Sequence, residues 1–304
     1  MPFISGRRTG RRGTRRYTRR DLVVLGVLLG LPVLLDLAIV WGPTLASVVL
    51  SFTSWDGIGD IEWVGTRNYT NLFTNYPQFW PAARHNLLWL AFLGLVATPF
   101  GLLLAVLIDR GVRFSRFYQS TLYMPVVLSL AVVGFIAQLV FSRDQGALNA
   151  VLGDTETPTD WLGDPDLNIW MVLLAAAWRH TGYVMILYLA GLKAVDRSLK
   201  EAAAIDGASE AQTFFRVVFP TLRPVNVIVG VITVIESLRA FDIVYAVNHG
   251  RNGLELLSVL VTDNIIGEAS RIGFGSAIAV VLLTVSLGFV VTYLVHELRG
   301  EKDR

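Results

Sequence analysis

Five ionisable side chains lie inside two long apolar stretches of this 304-residue chain, residues 169–191 and 225–247: Arg179, His180, Glu236, Arg239 and Asp242. An ionisable group at the depth of a membrane costs at least about 2.5–3.5 kcal/mol on insertion scales, so it needs a partner or a function. Glu236 and Arg239 are three residues apart, which places them on one face of a helix where they can pair. Such a set can bind a polar solute, relay protons or ions, or join two helices.

Hydroxyl and aromatic residues accompany these charges at helical spacing. Thr233 and Ser237 share the face of Glu236, and Tyr183 follows Arg179 by one helical turn. Carboxylate, hydroxyl and aromatic groups can contact the hydroxyl groups and ring faces of a polar solute such as a sugar. We therefore expect a translocation path lined by Tyr183, Thr233, Glu236, Ser237 and Arg239. The alternative for the charged members is a structural pair that holds two helices together.

Composition excludes most other chemistry. The chain has no cysteine, so it carries no disulfide, thiolate nucleophile or thiolate metal site, and its four histidines lack the spacing of metal ligands. A phosphate-binding loop needs a glycine directly before its lysine, and none of the three lysines has one. We expect no catalytic residue, no metal and no cofactor bound by this chain, so any energy must come from a partner.

The elements that position these groups are predicted to be membrane-spanning helices. Hydrophobic residues make up 53% of the chain and charged residues only 16%, with a mean hydropathy of +0.54, whereas globular chains carry about 25% charged residues. Crossing about 30 Å of hydrocarbon takes about 20 helical residues. Six apolar runs are long enough: Leu22–Leu50, Asn86–Ile108, Phe117–Phe141, Ile169–Gly191, Val225–Val247 and Ile272–Val295. The predicted fold class is an all-α, polytopic membrane protein.

Lysine and arginine are distributed unevenly between the two sides of these predicted spans. Nineteen of the 26 lie in the N-terminal tail, in the segments after spans two and four, and after span six. Because cytoplasmic segments carry the excess of basic residues, both termini are expected in the cytoplasm. Residues 1–20 then form a basic cytoplasmic tail that contacts anionic lipid, and residues 21–304 form the six-span domain. A nucleic-acid partner is not expected in a chain made of spans.

The segment between spans four and five, residues 198–224, predicts two short helices joined by a tight turn. Ser198 and Glu201 fit a capping box that starts the first helix, and Gly207 fits the left-handed conformation that ends it. Ser209 and Gln212 fit a second capping box, and that helix should stop near Pro220. Two rigid helices too short to cross a membrane are suited to docking into a groove on another protein.

The same segment resembles a family signature. Glu201-Ala202-Ala203, Gly207 and Val217-Val218-Phe219-Pro220 match the pattern EAA-x(3)-G-x(9)-I-x-L-P, with Val217 and Phe219 as departures. This pattern is found in permease subunits of binding-protein-dependent ABC importers. The longer stretch from Glu201 to Ala208 looks like the sugar-importer branch of that family, of the maltose and glycerol-phosphate type.

The resemblance implies a role for each matching residue and a set of partners. ATPase-coupling roles fall on Glu201, Ala202, Ala203, Asp206, Gly207 and Pro220. The implied partners are a second EAA-type permease subunit in a heterodimer, two cytoplasmic ATPase subunits that bind ATP-Mg, and an extracytoplasmic solute-binding protein. The chain would then be a transport subunit and not an enzyme. It would move a sugar or related carbohydrate across the bacterial cytoplasmic (inner) membrane by alternating access.

A second class of function stays open at this point. An ion-coupled secondary transporter or channel would use Glu236, Arg239 and Asp242 as a proton or ion relay and would need no ATPase. Such proteins are often built from internal inverted repeats, and none is detectable in this chain. They also have no need of a docking segment between spans four and five.

Overall fold

The computed structural model of the chain describes residues 18–153, 157–267 and 270–302. These residues are helical throughout, apart from connecting loops and one isolated β-bridge between Thr53 and Trp63. The all-α prediction is therefore confirmed for the described part of the chain. Most of the predicted basic tail, residues 1–17, lies outside the described residues.

The first compact unit, residues 1–49, is dominated by a single long helix, α1, which spans Arg19–Leu50. Thr18 caps it in a capping box with Asp21. Its sequence is apolar on all sides, and none of its described residues is buried. A helix that is apolar all round and long enough to cross a bilayer is typical of a membrane span.

The second unit, residues 50–304, contains the remaining helices. They are α2 (Arg67–Thr74), α3 (Phe79–Asp109), α4 (Ser115–Val127), α5 (Leu130–Phe141), α6 (Ala147–Leu152), α7 (Asn168–Ala194), α8 (Arg197–Ile205), α9 (residues 210–221), α10 (Arg223–Leu238), α11 (Asp242–Asn248), α12 (Leu257–Ile265) and α13 (Ile272–Lys302). Helix α7 is the central helix of this unit, because two thirds of its most apolar stretch is buried. Only 6% of the corresponding stretch of α13 is buried.

Four helices are long and apolar enough to cross a membrane: α1, α3, α7 and α13. The pair α4 and α5 gives a fifth if it counts as one span, although the two helices meet at 103°. The sequence predicted six spans, so the third and fifth differ from expectation. Leu128 has extended backbone and Ser129 caps the next helix, which bends the third span.

The predicted fifth span, Val225–Val247, is broken in two. Helix α10 ends at Leu238, Arg239 leaves helical geometry, and α11 begins at Asp242. Neither piece alone is long enough to cross a bilayer. No proline or glycine marks this break in the sequence, where only the charged residues Arg239 and Asp242 interrupt the apolar run.

Backbone carbonyl groups freed at this break are satisfied by side chains from other helices. The Asn86 side-chain amide of α3 donates to the carbonyl oxygens of Ser237 (3.2 Å) and Leu238 (3.4 Å). Its own oxygen accepts from the backbone amide of Leu257 at 2.9 Å. The Ser258 hydroxyl donates to the carbonyl of Ala240. Hydrogen bonds to α3 and α12 therefore stabilise the break.

Polar side chains also satisfy carbonyl groups at the end of α11 and at the bend between α4 and α5. The Gln138 amide of α5 donates to the carbonyl oxygens of Ala246 (3.0 Å) and Val247 (2.7 Å), at the end of α11. The Arg179 side chain of α7 donates from Nε to the carbonyl of Leu128 (3.3 Å), at the bend between α4 and α5. Polar side chains inside the bundle thus replace the hydrogen bonds that lipid cannot supply.

Close helix packing around α7 depends on small residues. A Cβ atom on Gly101 of α3 would lie 2.8 Å from the Val184 side chain and 2.9 Å from the Thr181 carbonyl oxygen. A Cβ atom on Gly182 would meet the Leu122 carbonyl oxygen of α4. Such close approach through glycine is the usual way in which membrane helices gain packing contacts.

We predict that Asn86→Leu destabilises the protein, because it leaves two carbonyl groups and one amide without partners. Each unsatisfied buried group costs about 1–3 kcal/mol. The expected result is a lower midpoint of thermal unfolding in detergent. The control is Leu87→Ala, at the exposed neighbouring position, which should move the midpoint much less. Equal midpoints for the two variants would contradict this role of Asn86.

Candidate translocation site and coupling loop

Helix α8 begins two residues earlier than the predicted capping box implies, and with a different cap. Its N-cap is Asp196, whose side chain accepts from the backbone amide of Ser198 at 2.9 Å. The predicted capping box of Ser198 and Glu201 is therefore wrong, because an aspartate two residues upstream takes the capping position. Hydrogen bonds from the Ser198 backbone and then from its side chain lower the pKa of Asp196.

The turn after α8 has the geometry that the sequence predicted. Gly207 has φ +77°. Two backbone hydrogen bonds that run back across the turn satisfy carbonyl groups of the last helical turn. The amide of Ala208 donates to the Ala203 carbonyl (3.0 Å) and that of Gly207 to the Ala204 carbonyl (3.1 Å). This is a Schellman motif, which requires a left-handed residue at the position of Gly207.

Helix α9 starts with the predicted capping box between Ser209 and Gln212, which is confirmed. Its middle, Phe214–Val218, is a π-turn, and it ends at Thr221, one residue after Pro220. Only Leu222 separates α9 from α10. The segment from 210 to 238 is thus nearly continuous helix, in place of a short helix that stops before the next span.

The surface of α8 and α9 includes exposed apolar side chains next to polar ones. Ile205 is 86% exposed, and Phe215 is also exposed. Glu201, Ala202 and Asp206 are exposed, whereas Ala203 is buried against the rest of the chain. Ile205 follows Glu201 by four residues, so α8 exposes an apolar side chain and a carboxylate on one face.

Two ion pairs connect this loop to the end of α3. The Lys200 ammonium lies 3.4 Å from the Asp109 carboxylate, and the Arg110 guanidinium lies 3.0 Å from the Glu210 carboxylate. A cleft of about 480 Å³ lies between these groups, lined by residues of α3, α7, α8 and α9. The second pair is largely exposed, so its contribution to stability is small.

The partly buried charges Arg179 and Glu236 pair between helices and not within one. Nη1 of Arg179 on α7 lies 3.5 Å from the Glu236 carboxylate on α10. The expected pair of Glu236 with Arg239 does not form in the described structure, because Arg239 lies beyond the last helical turn of α10. Arg239 is exposed instead, as is Asp242.

A cluster of hydroxyl groups lies beside this pair. His180 Nε2 lies 3.3 Å from the Thr98 hydroxyl and 3.2 Å from the Thr233 hydroxyl. Thr233 also donates to the Val229 carbonyl, and Ser237 donates to the Thr233 carbonyl. Thr233 and Ser237 are both buried, so in this conformation they contact protein groups only.

The structure leaves little free space between these groups. A cavity of about 10 Å³ is lined by Arg179, His180 and Glu236 together with apolar side chains. This volume is enough for about one water molecule. Tyr183 is half-buried on the same helix as Arg179. The polar cluster is therefore closed in the single chain, with no room for a sugar-sized solute.

Three structural polar residues escaped the sequence reasoning: Thr98, Gln138 and Asn86. Each is a lone polar residue in or at the end of an apolar run, and its partner is remote in the sequence. Their presence inside predicted spans is the only signal that the sequence offers. Nothing in the sequence indicates which backbone groups they satisfy.

Comparison with known proteins identifies the family. The model of the family "Binding-protein-dependent transport system inner membrane component" matches residues 97–299, which is more than half of the chain. The chain belongs to this family. It is therefore an integral membrane protein and a permease subunit of an ABC importer, in which ATP hydrolysis takes place in a separate subunit. The importer, and not the ion-coupled transporter that the sequence left open, is therefore the function of the family to which this chain belongs.

Individual relatives cover most of the permease. A xylose/arabinose import permease of Haloferax volcanii is 32% identical and covers 93% of this chain and 90% of its own. An arabinooligosaccharide transport permease of Bacillus subtilis is 33% identical, covering 80% and 78%. A crystallised bacterial alginate ABC transporter, in complex with a periplasmic protein that holds an alginate pentasaccharide, has the same fold. Its chain matches with a TM-score of 0.77 at 20% identity and covers 90% and 93%.

We predict that Arg179→Gln and Glu236→Gln each destabilise the permease, because each leaves the other charge partly buried and unpaired. The double variant should recover much of the lost stability, measured as the midpoint of thermal unfolding. The matched control is Arg239→Gln combined with Glu236→Gln, in which the two changes should be additive. Additivity in the Arg179 cycle would show that the pair does not hold α7 and α10 together.

Proposed function

We propose that this permease imports a sugar or a related carbohydrate across the cytoplasmic membrane by alternating access. The observation that carries the proposal is the agreement among relatives that cover most of the chain. Two of them are named for import of pentoses or their oligosaccharides, and the structural relative is named for alginate. The buried cluster of hydroxyl, carboxylate and guanidinium groups has the chemistry to bind sugar hydroxyl groups.

The proposed assembly contains a second EAA-type permease subunit, two cytoplasmic ATPase subunits and an extracytoplasmic solute-binding protein. ATP-Mg is bound by the ATPase subunits. The periplasmic protein in the structure of the alginate transporter supports a binding protein as one partner. The closed polar cluster supports a second permease, because the cavity beside it in the described residues, about 10 Å³, is too small for a sugar.

The proposed topology has six crossings with both termini in the cytoplasm. Helices α1, α3, α7 and α13 supply four crossings. The bent pair α4–α5 and the broken pair α10–α11 supply the other two. The excess of lysine and arginine on one side supports this orientation, and it places α8 and α9 in the cytoplasm.

In this orientation α8 and α9 form the loop that couples the permease to its ATPase. Glu201, Ala202 and Asp206 are proposed to contact the ATPase, because they lie on the exposed side of α8. The buried Ala203 anchors α8 to the permease. Gly207 sets the turn, and the Pro220 region joins α9 to the helix that carries Glu236.

Residues that contact the sugar are proposed along α7 and α10. Glu236 is half-buried and Arg239 is exposed, and Tyr183 lies one turn from Arg179. Thr233 and Ser237 are buried here, so they reach the sugar only after α10 moves relative to α7. Movement of that kind is what alternating access requires.

Gly207→Val should uncouple the importer. The position has open space within 4 Å of a Cβ atom, so the effect is backbone strain in the left-handed region and not a steric clash. That strain amounts to about 1–2 kcal/mol, and it favours a different exit from α8. We expect ATP hydrolysis stimulated by the loaded binding protein to fall severalfold in the reconstituted complex.

The matched control is Gly207→Asn, because asparagine tolerates the left-handed conformation. This variant should keep most of the stimulation, although it adds a side chain of similar size. Both variants should assemble with the ATPase at normal levels. Normal stimulation in the Gly207→Val complex would reject the role of this turn in coupling.

The proposal as a whole is tested by purifying the tagged permease from native membranes under mild conditions. We expect mass spectrometry to find one other permease and an ATPase at matching stoichiometry. In vesicles, uptake of xylose, arabinose or lactose should require ATP and should persist in the presence of an uncoupler. A homo-oligomer without ATPase, whose uptake collapses with the uncoupler, would refute the proposal.

A further inference from the structure

The short helix α11 has two faces of opposite character. Ile243, Val244 and Val247 are buried on one side. On the other side Asp242 and Tyr245 are exposed, Tyr245 by 37% of its surface, and His249 continues this face beyond the end of the helix. Asp242, Tyr245 and His249 follow at intervals of three and four residues, which is one stripe of a helix.

Packing places α11 at the level of membrane-spanning helices. Its buried residues belong to the same apolar cluster as Leu173 of α7 and Val133 of α5. Its last carbonyl groups accept from Gln138, which lies inside α5. The helix is therefore set within the bundle and is not a loop helix above it.

Exposed residues of the neighbouring helices at this level are apolar. On α5 they include Phe135, which is 57% exposed, and Leu139. On α7 they include Trp170 and Leu174. These side chains suit a hydrocarbon environment, whereas a carboxylate or imidazole in the same environment would cost several kcal/mol. The exposed stripe of α11 thus belongs to a different environment from the exposed faces of α5 and α7.

The stripe continues the partly buried charges of the proposed sugar site. Glu236 and Arg239 precede it in the chain, and both are accessible. The rings of the stripe are held in place by contacts, since the ring centroids of Tyr245 and His249 are 4.7 Å apart and Tyr245 stacks at 4.8 Å on the half-buried Phe241. A row of rings fixed by contact with one another presents a defined surface to a solute.

We propose that the exposed stripe of Asp242, Tyr245 and His249 is the wall of a water-filled vestibule, and that Asp242 and Tyr245 contact the sugar between the outer mouth and the central charges. This inference rests on the proposed import of a carbohydrate and on the proposed orientation. The Asp242 carboxylate accepts hydrogen bonds from sugar hydroxyl groups. Tyr245 offers a hydroxyl group that can donate to or accept from a sugar hydroxyl group, and aromatic surface that can contact the sugar.

The chain contains no cysteine, so single cysteine variants can be labelled without any background changes. Asp242→Cys and Tyr245→Cys are placed in the complete importer in intact cells, and a charged, membrane-impermeant thiol reagent is added outside. The controls are Phe135→Cys, on the exposed apolar face of α5, and Ile243→Cys, on the buried face of α11. We expect the two stripe positions to react at least about tenfold faster than both controls.

Two outcomes would overturn the proposal. Equal, slow reaction at 135, 242 and 245 would place the stripe against lipid or under the partner permease. Reaction at 242 and 245 only after the membrane is permeabilised would place the vestibule on the cytoplasmic side. Both results are independent of the cargo, so they separate failure of the vestibule from failure of sugar import.

Contact with the sugar is tested by uptake kinetics with the sugar among xylose, arabinose and lactose that the vesicle assay finds to be transported. Tyr245→Leu should raise KM by about threefold to tenfold, the range expected for a lost aromatic contact. Tyr245→Phe keeps the ring and should have a smaller effect. Unchanged KM in Tyr245→Leu, with rapid labelling at 245, would leave the vestibule in place and reject Tyr245 as a sugar contact.

Discussion

Hydrocarbon offers no hydrogen-bond partner, and this constraint governs how the permease can interrupt its helices. The fifth predicted span breaks between Leu238 and Asp242, and the freed carbonyl groups are taken up by Asn86 and Ser258. These two side chains come from α3 and α12, which also contact each other. A broken helix is stable here because its neighbours complete it, so the break and the bundle depend on each other.

The same constraint explains where the charges lie. Arg179 donates to the Leu128 carbonyl at the bend of α4 and α5, and it pairs with Glu236 on α10. One guanidinium group has enough donors to serve both purposes. It thereby connects three helices that contribute to the polar centre. Its removal would affect a backbone group and a carboxylate at once, whereas Arg239 has no such double role in the described structure.

Several features of the fold follow from the sequence by local physical chemistry. The apolar runs give the crossing helices, the Ser209–Gln212 box starts α9, and a glycine with positive φ ends the turn at 207. The features that escaped prediction involve residues distant in sequence. Asp196 and Ser198 are both residue types that cap helices, and the structure uses Asp196. The carbonyl groups at the break near Arg239 are satisfied by side chains of α3 and α12. Glu236 likewise pairs with Arg179 and not with Arg239 because α7 packs close to α10.

The candidate site also combines features that the sequence predicts with features that depend on contacts between distant residues. Residue types and spacing indicate which side chains are polar within the spans, and so they predict Tyr183, Thr233, Glu236, Ser237 and Arg239 as a group. They do not indicate that Thr233 and Ser237 face protein while Asp242 and Tyr245 are exposed. That distinction arises from the break, which lets α11 present a face that a continuous helix would orient differently.

The nearly unbroken helical run from residue 210 to 238 has a mechanical consequence. At 1.5 Å per residue its contour is about 40 Å, and it leads from α9 to the carboxylate of Glu236. Leu222, the one residue in it outside a helix, is buried, so the joint between α9 and α10 is packed against the rest of the unit. In the proposed assembly, an ATPase that displaces α9 would therefore also move the part of α10 that carries Glu236, because little flexible backbone lies between them.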